Sequence, residues 1–141
     1  MARIFITGSA DGLGQLAARE LVRLGHNVVL HARDAKRGKD ALAGVPGAES
    51  VVTADLSNVS ATKRLAEDVN ELDGFDAVIH NAAVYRSEPG QIFAVNVLAP
   101  YILTCMITRP ERLIYMSSGM HGGGEAKLDA FKSDPQQITY S

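Results

Sequence analysis

Short apolar strand patterns alternate with helical patterns along the chain, and this alternation limits the fold more than any other feature. Five segments rich in β-branched and aliphatic residues are predicted as β-strands, namely residues 3–6, 27–31, 50–53, 76–80 and 112–116. Strands separated by helices pair in parallel, and the connecting helices cover both faces of the sheet. The sequence therefore predicts one α/β domain over residues 1–141, built as a doubly wound parallel sheet.

Helical periodicity marks the segments between these strands. The first helix is predicted from apolar residues at helical spacing, Leu13, Leu16, Ala17, Leu21 and Leu24, and Gly25 stands where a helix end favours a left-handed residue. A second helix, which Gly74 is expected to end, is predicted from Leu65, Val69 and Leu72, with candidate caps at Ser57, Asn58 and Ser60. Residues 91–108 predict a longer, largely buried helix, and residues 36–42 predict a weak helix interrupted by Gly38.

Charge and composition exclude several classes of protein. Fourteen Lys and Arg against sixteen Asp and Glu give a net charge of −2, so no nucleic-acid partner is expected. Cys105 is the single cysteine, which excludes an internal disulfide, and we expect a packed thiol in a reducing compartment. Glycines interrupt the apolar N-terminus early, and no segment approaches the roughly 18 apolar residues of a membrane span. We therefore expect a cytoplasmic protein with no membrane partner.

A glycine-rich turn lies between the first predicted strand and the first predicted helix. Its sequence is Thr7-Gly8-Ser9-Ala10-Asp11-Gly12-Leu13-Gly14. Glycines here let the backbone approach a pyrophosphate closely, and the helix N-terminus offers unpaired N–H groups and the positive end of its dipole. An ordinary tight turn is the alternative for the glycines alone. The strand before them and the helix after them favour a dinucleotide-binding turn.

The spacing T-G-x-x-x-G-x-G resembles the cofactor signature of the short-chain dehydrogenases/reductases. Asp55-Leu56, after the third strand, resembles the family's pair that faces the adenine ring, and Asn81-Ala82-Ala83 resembles its N-A-G element with Ala83 in place of glycine. The resemblance covers the whole chain. It implies a Rossmann-like sheet of strand order 3-2-1-4-5, with further C-terminal strands beyond this chain. The cofactor contacts that it implies are Thr7, Gly8, Ser9, Asp11, Gly12, Leu13, Gly14, Asp55, Leu56, Asn81, Ala82 and Ala83.

Each of these landmarks also has an ordinary structural interpretation. Asp55 could cap a helix and Asn81 could be a turn residue. Ser117-Ser118, which follow the fifth strand and resemble the family's serine element, could be polar loop residues. Their shared order at the predicted strand ends favours the functional interpretation, because ligands of open parallel sheets gather at the carboxyl edge.

The end of the second strand indicates which nicotinamide cofactor is bound. Ala32 stands where similar NAD enzymes carry an acid for the ribose hydroxyl, and Arg33 can form a bidentate pair with a 2′-phosphate. We therefore expect NADP(H) in preference to NAD(H). Asp11 and Asp34 weigh against this, since many similar NADP enzymes carry a basic residue at the position of Asp11. Arg33 as a solvated loop residue remains the alternative.

The resemblance also implies catalytic residues. In this family a hydride moves between the nicotinamide and a carbonyl or alcohol, and a tyrosine phenol exchanges the proton. Asn96, Ser118 and Tyr140 match the family's asparagine, serine and tyrosine, with Ser118 preferred to Ser117. A free phenol has a pKa near 10 and needs a nearby positive charge. The family's lysine would follow Tyr140 by four residues, beyond Ser141, so we expect this chain alone to be inactive.

Other residues near the predicted site are weaker candidates. Tyr85 is a secondary choice for the tyrosine, while Tyr101 and Tyr115 are expected in the core. The interval between Ser118 and Tyr140 is longer than usual in the family and resembles the insertion found in retinol-dehydrogenase-like reductases. In this chain we expect His121 and Phe131 to line the substrate entrance.

Pro100 affects the helix that carries Asn96. It has no N–H to pair with the carbonyl of Asn96, so we expect a kink with that carbonyl free. In similar enzymes this carbonyl holds a water that links the lysine to solvent. A kink without catalytic meaning is the alternative.

The leading hypothesis is an NADP-dependent oxidoreductase acting on a small carbonyl or alcohol. Its full-length form is expected to be a homo-oligomer and to use no metal. One alternative is a non-catalytic NADP-binding or redox-sensing module, which the missing lysine favours and the presence of both Ser118 and Tyr140 disfavours. Another is a sugar-nucleotide epimerase, whose usual T-G-x-x-G-x-x-G spacing fits Gly12 and Gly14 poorly.

Overall fold

Five strands form one parallel sheet in the computed structural model, which describes residues 1–123. The strands are β1 (Arg3–Ile6), β2 (Asn27–Ala32), β3 (Ser50–Thr53), β4 (Ala77–His80) and β5 (Arg112–Tyr115). Their order in the sheet is β3-β2-β1-β4-β5, and every neighbouring pair is parallel. The predicted fold class and strand order are confirmed. Each observed strand lies within one residue of its predicted bounds at either end.

Helices cover both faces of this sheet. They are α1 (Gly12–Arg23), α2 (Ala35–Gly44), α3 (Val59–Asn70), α4 (Pro89–Phe93), a π-helical segment (Ala94–Leu98), α5 (Ala99–Met106) and a short 3₁₀ turn (Gly119–Gly123). The elements from α4 to α5 follow one another without a break. Along a strand, successive side chains point to opposite faces, so each strand contributes to two separate cores.

The two cores divide the helices between them. Ile6 and Leu30 pack with Ala18 of α1 and Ala41 of α2. On the other face, the fully buried Phe5 joins the side chains of α3, the π-helical segment and α5, with Leu65, Val69, Val95 and Leu103 among them. Burial on both faces explains why the central strands contain almost uninterrupted apolar sequence.

The end of α1 has the predicted glycine geometry. Gly25 has a φ of +85°, its N–H donates to the carbonyl of Val22, and the next N–H, of His26, donates to that of Leu21 at 3.0 Å. These two bonds are a Schellman motif, which satisfies the last carbonyls of the helix. The chain then enters β2 at Asn27.

Two predicted helix boundaries are wrong. Gly38 does not interrupt the helix predicted over residues 36–42 but lies buried inside α2, where an added Cβ would be 3.1 Å from Cγ2 of Thr53. The glycine therefore lets α2 approach β3 closely. The next helix, α3, is capped by Asn58, whose side chain accepts from the N–H of Ala61, and it ends at Asn70, before Gly74.

The long apolar helix is less buried than its sequence suggested. Pro89–Met106 has 18 residues, of which 28% are buried, and it is long and apolar enough by length and composition to cross a membrane. The prediction that no segment approaches the length of a membrane span is therefore wrong. Its inner face packs against α3 and the sheet, whereas Tyr101 is 66% exposed and the Cys105 thiol is exposed. Neither residue is packed in the core as expected, because both lie on the outer face.

Two histidines lie at the carboxyl ends of strands in the sheet. His31 in β2 is 3% exposed and His80 in β4 is 6% exposed. Burial lowers the pKa of His31 to about 4, although its bond to the Ala54 carbonyl and the nearby Asp55 carboxylate oppose this. Burial also lowers the pKa of His80 to about 4. Both rings are therefore neutral in the folded protein near pH 7.

Acidification should destabilise the protein through these rings. The unfolded chain binds a proton at each histidine below the usual pKa of 6.5, whereas the folded chain does so only near pH 4. The free energy of unfolding therefore falls as the pH drops from 6.5 toward 4. For His31 we expect a loss of about 2 kcal/mol between about pH 7 and about pH 5.

Urea unfolding at the two pH values measures this loss. His31→Gln removes one titrating ring, so the difference in unfolding free energy between the two pH values should shrink. The same difference in the variant and in the unchanged protein would contradict the prediction.

Candidate active site

Two adjoining cavities lie at the carboxyl edge of the sheet, where the strand order reverses around β1. The first, of about 360 Å³, lies between the glycine turn and the ends of β2 and β3. The second, of about 410 Å³, lies between β4, β5 and the long helix. They share a wall made of Leu13, Leu56, Asn81, Ala82, Ala83 and Val95. Together they form a crevice at the position where open α/β sheets bind ligands.

Close packing determines the shape of the glycine turn. Gly8 and Gly12 have φ values of +64° and +54°, which favour glycine. A Cβ on Gly14 would lie 2.5 Å from Nδ2 of Asn81 and even closer to the carbonyl oxygen of Gly8. A Cβ on Gly8 would lie 2.8 Å from Cα of Ala82. Glycine at positions 8 and 14 thus lets the turn, the start of α1 and the end of β4 pack closely, and we call this arrangement the glycine cradle.

Thr7 and Asn81 hold this turn from the β4 side. Nδ2 of Asn81 donates to the carbonyls of Thr7 and Gly8 at 3.1 and 3.0 Å. The Thr7 hydroxyl oxygen accepts from the N–H groups of Asn81 and Ala82 at 3.0 and 3.1 Å. Both predicted cofactor residues therefore fix the backbone that surrounds the crevice, and Asn81 also lines both cavities.

Ser9 supports the turn from the β2 side instead of facing the cavity. It is fully buried and is absent from the walls of the two cavities. Its hydroxyl donates to the carbonyl of Ile6 at 2.9 Å and accepts from the N–H of His31 at 2.8 Å. Its own N–H donates to the carbonyl of His31. Ser9 therefore supports the turn through these bonds, and its expected contact with the cofactor stays a prediction.

The N-terminus of α1 opens into the first cavity without a side-chain cap. Asp11 occupies the N-cap position but makes no capping bond, and its carboxylate pairs with Arg37 instead. The first N–H groups of a helix have no partner within it. The residues of this first turn, Gly12, Leu13 and Gly14, line the cavity. This helix end can therefore accept an anion.

Basic residues surround the far end of the first cavity. Arg33 follows β2, is exposed and lines this cavity. Arg33, Lys36 and Arg37 also line an adjacent depression of about 400 Å³, together with Asp34 and Asp40. The Asp34 carboxylate caps α2 by accepting from the N–H of Arg37 at 2.9 Å. The sequence-based prediction did not include Arg37, although a basic residue in the first turn of the helix after Arg33 could have indicated it.

Asp55 and Leu56 form the wall opposite the glycine turn. Oδ1 of Asp55 accepts from the N–H and the hydroxyl of Ser57 at 2.9 and 2.7 Å. The bond from the Ser57 hydroxyl is the main cause that lowers the pKa of this carboxyl group, with a smaller contribution from Arg33. Asn58, not Asp55, caps the following helix. The charged carboxylate thus remains beside the cavity.

Asn96 lies in the π-helical segment beside the second cavity. Its Oδ1 accepts from the N–H of Val84 at 2.9 Å, and its Nδ2 donates to the carbonyl of Val84 at 2.7 Å. The side chain therefore holds the loop that follows Ala83. The irregularity expected from Pro100 takes the form of a π-helical segment, in which the N–H of Ala99 donates to the carbonyl of Ala94.

Ser117 and Ser118 follow β5 and line the second cavity, and the catalytic role of Ser118 stays a prediction. The Ser118 hydroxyl accepts from the N–H of Met120 at 3.2 Å. Tyr140 and Phe131 lie outside the described residues. Within residues 1–123, no group of three His, Cys, Asp or Glu is arranged to hold a metal ion.

Tyr115 and His80 form a pair that the sequence reading missed. Tyr115 was expected in the core, but it is 53% exposed and lines the second cavity. Its ring stacks on His80 with centroids 4.9 Å apart. The Thr104 hydroxyl lies 2.6 Å from the Tyr115 hydroxyl and 3.2 Å from Nε2 of His80. Strand pairing brings the two rings together, and no local pattern indicates that pairing.

Comparisons with known proteins agree with this geometry. A family model described as short chain dehydrogenase matches residues 2–119. An uncharacterized oxidoreductase of Emericella nidulans is 53% identical over 139 residues, which cover 91% of this chain and 54% of that protein. The chain spans about half the length of the curated relatives it matches.

Solved structures share the same fold. An uncharacterized protein from Mycobacterium paratuberculosis has a TM-score of 0.79 at 28% identity, covering 99% of this chain and 54% of its own. A metagenomic short-chain oxidoreductase in complex with NADP has a TM-score of 0.69 at 28% identity, covering 82% of this chain and 62% of its own. Because the family model matches most of the sequence and the sheet order agrees, the chain belongs to the short chain dehydrogenase family of oxidoreductases.

Proposed function

We propose that the protein binds NADP(H) and supports hydride transfer between the nicotinamide and a carbonyl or alcohol carbon of a small molecule. One observation carries the proposal. The crevice joins an uncapped helix N-terminus and glycine cradle at one end to Asn96 and Ser118 at the other. A dinucleotide has its pyrophosphate between two nucleoside halves, so it matches a crevice of two joined cavities.

The residues of the first cavity fit the adenosine half and the pyrophosphate. A Cβ on Gly8 or Gly14 would collide with neighbouring protein atoms, so the glycines keep the turn compact, and its backbone could then approach the phosphates. The first N–H groups of α1 would donate to the phosphate oxygens. The Asp55 carboxylate and Leu56 would form the adenine wall.

Arg33 and Arg37 support the choice of NADP(H) over NAD(H). Both line the depression next to the first cavity, and Ala32 offers no carboxylate to repel a 2′-phosphate. Guanidinium groups bind phosphate with two parallel hydrogen bonds. The similar metagenomic oxidoreductase that was solved with NADP gives independent support.

The second cavity would hold the nicotinamide and the substrate. The nicotinamide supplies or accepts the hydride, and the protein orients the reacting groups. The Ser118 hydroxyl would donate a hydrogen bond to the substrate oxygen, while Asn96 positions the loop after Ala83 through Val84. Tyr140, with the lysine expected four residues after it, would exchange the proton. Since the chain spans about half of its relatives, this activity is proposed for the whole protein.

Arg33→Ala tests the cofactor preference. We expect the affinity for NADPH to fall about tenfold, because one charge-assisted phosphate contact is lost, while the affinity for NADH stays unchanged. Fluorescence titration of both cofactors measures the two dissociation constants. Arg33→Lys is the control that keeps the charge without the bidentate geometry and should give an intermediate loss. An unchanged NADPH/NADH ratio in Arg33→Ala would show that Arg33 does not bind the 2′-phosphate.

Gly14→Ala tests the glycine cradle. The added Cβ would collide with the Gly8 carbonyl and displace the Asn81 amide, so binding of NADPH and NADH should both be lost. Gly90→Ala is a matched control, since a Cβ on Gly90 meets no atom within 4 Å. Thermal melting separates lost binding from unfolding. If a folded Gly14→Ala variant binds either cofactor normally, the glycine cradle is not part of the cofactor site.

Ser118→Ala and Ser117→Ala together test the catalytic assignment. Turnover is measured on a longer form of the protein that carries a lysine four residues after Tyr140. We expect Ser118→Ala to lower kcat about a hundredfold with NADPH affinity unchanged, because one donor to the reacting oxygen is lost. Ser117→Ala should have little effect. Equal rates for the two variants would contradict the assignment of Ser118.

A further inference from the structure

One buried imidazole joins the two walls of the first cavity. His31, in β2, is 3% exposed and lines this cavity. Its Nδ1 accepts a hydrogen bond from the N–H of Gly8 at 3.0 Å, and its Nε2 lies 3.0 Å from the carbonyl oxygen of Ala54. Gly8 belongs to the glycine turn, and Ala54 directly precedes Asp55. A single ring therefore spans the distance between the turn and the opposite wall.

The two partners fix the protonation state of this ring. A backbone N–H can only donate and a carbonyl oxygen can only accept, so Nδ1 carries no proton and Nε2 carries one. A proton on Nδ1 would oppose the N–H of Gly8 and break that bond. The lowered pKa of His31 agrees with a ring that stays neutral. His31 is therefore a fixed linker and not a proton donor to the site.

Main-chain bonds hold the same region independently of the ring. The Ser9 hydroxyl accepts from the N–H of His31, and the N–H of Ser9 donates to the carbonyl of His31. The ring also packs edge-on against Phe5, with centroids 6.5 Å apart. Replacing the side chain leaves the main-chain bonds in place. A substitution can therefore remove one side-chain bond without detaching the turn from β2.

We propose that His31 is a positioning residue that sets the separation of the pyrophosphate and adenine subsites of the cofactor site. The bond to Gly8 holds the glycine turn, and the bond to Ala54 holds the segment that carries Asp55 and Leu56. A site whose two halves are already spaced for the ligand loses less entropy on binding. This proposal rests on the proposed function, because it assumes an adenine dinucleotide in the crevice.

Two substitutions separate the bonds. In asparagine, Oδ1 is as many bonds from Cα as Nδ1 of histidine, so His31→Asn keeps an acceptor for Gly8 and loses the donor to Ala54. In glutamine, Nε2 matches Nε2 of histidine, so His31→Gln keeps the donor to Ala54 and loses the acceptor for Gly8. The control is His26→Gln. It also removes a ring nitrogen that accepts from a backbone N–H, that of Ala2, but at the opposite edge of the sheet.

Affinities for NADPH and for 2′-AMP, which has no 5′-phosphate, provide the readout. We expect His31→Gln to weaken NADPH about tenfold and to leave 2′-AMP unchanged, because only the turn loses its bond. His31→Asn should weaken both ligands about tenfold, because the adenine wall loses its bond. His26→Gln should change neither affinity.

The outcomes distinguish the two proposals. If the unchanged protein binds NADPH and the two His31 variants weaken both ligands equally, or neither ligand, the positioning role of His31 is overturned and the proposed function stands. If the unchanged protein binds neither NADPH, NADH nor 2′-AMP, the proposed function fails and the proposal for His31 fails with it. If His31→Gln weakens NADPH alone and His31→Asn weakens both ligands, the result supports the proposed function and the positioning role of His31.

Discussion

The close approach of Gly14 to Gly8 and Asn81 is the contact on which the rest of the site depends. A Cβ there would meet the carbonyl of Gly8 and Nδ2 of Asn81. The absence of that atom lets Asn81 donate to the carbonyls of Thr7 and Gly8 and so join the ends of β1 and β4. It also brings the N-terminus of α1 to the edge of the sheet. The uncapped N-terminus of α1 and the switch point of the sheet therefore coincide.

Side chains around this contact divide into those that face the crevice and those that hold its walls. The polar side-chain atoms of Ser9, His31 and Asn96 form hydrogen bonds with the backbone of neighbouring segments. Arg33 and Asp55 remain at the cavity with their charges. The first group fixes the spacing of the walls and the second can recognise a ligand. Neutral histidine suits the first group, because each ring nitrogen has one defined role in a bond.

Electrostatics at the far end of the first cavity combines attraction with competition. Asp11 does not cap α1, which leaves the helix N-terminus open, and it pairs instead with Arg37. Asp34 caps α2 and thereby places Arg37 in the first turn of that helix. The carboxylate of Asp11, in the glycine turn, is thus paired with the guanidinium group of Arg37. This pairing removes the conflict between an acidic residue at position 11 and the proposed phosphate site, which the sequence alone left open.

Local pattern determined the five strands, the glycine turn and the end of α1 at Gly25, because strand alternation, glycine φ and helix capping depend on neighbouring residues. Tertiary structure decided the rest. Gly38 continues a helix because α2 lies close to β3, and Tyr115 lines a cavity because β5 pairs with β4 beside His80. Sequence spacing says nothing about which helix approaches which strand. The bonds of His31 to Gly8 and Ala54 join residues 23 positions away on either side, so only the folded sheet could bring them together.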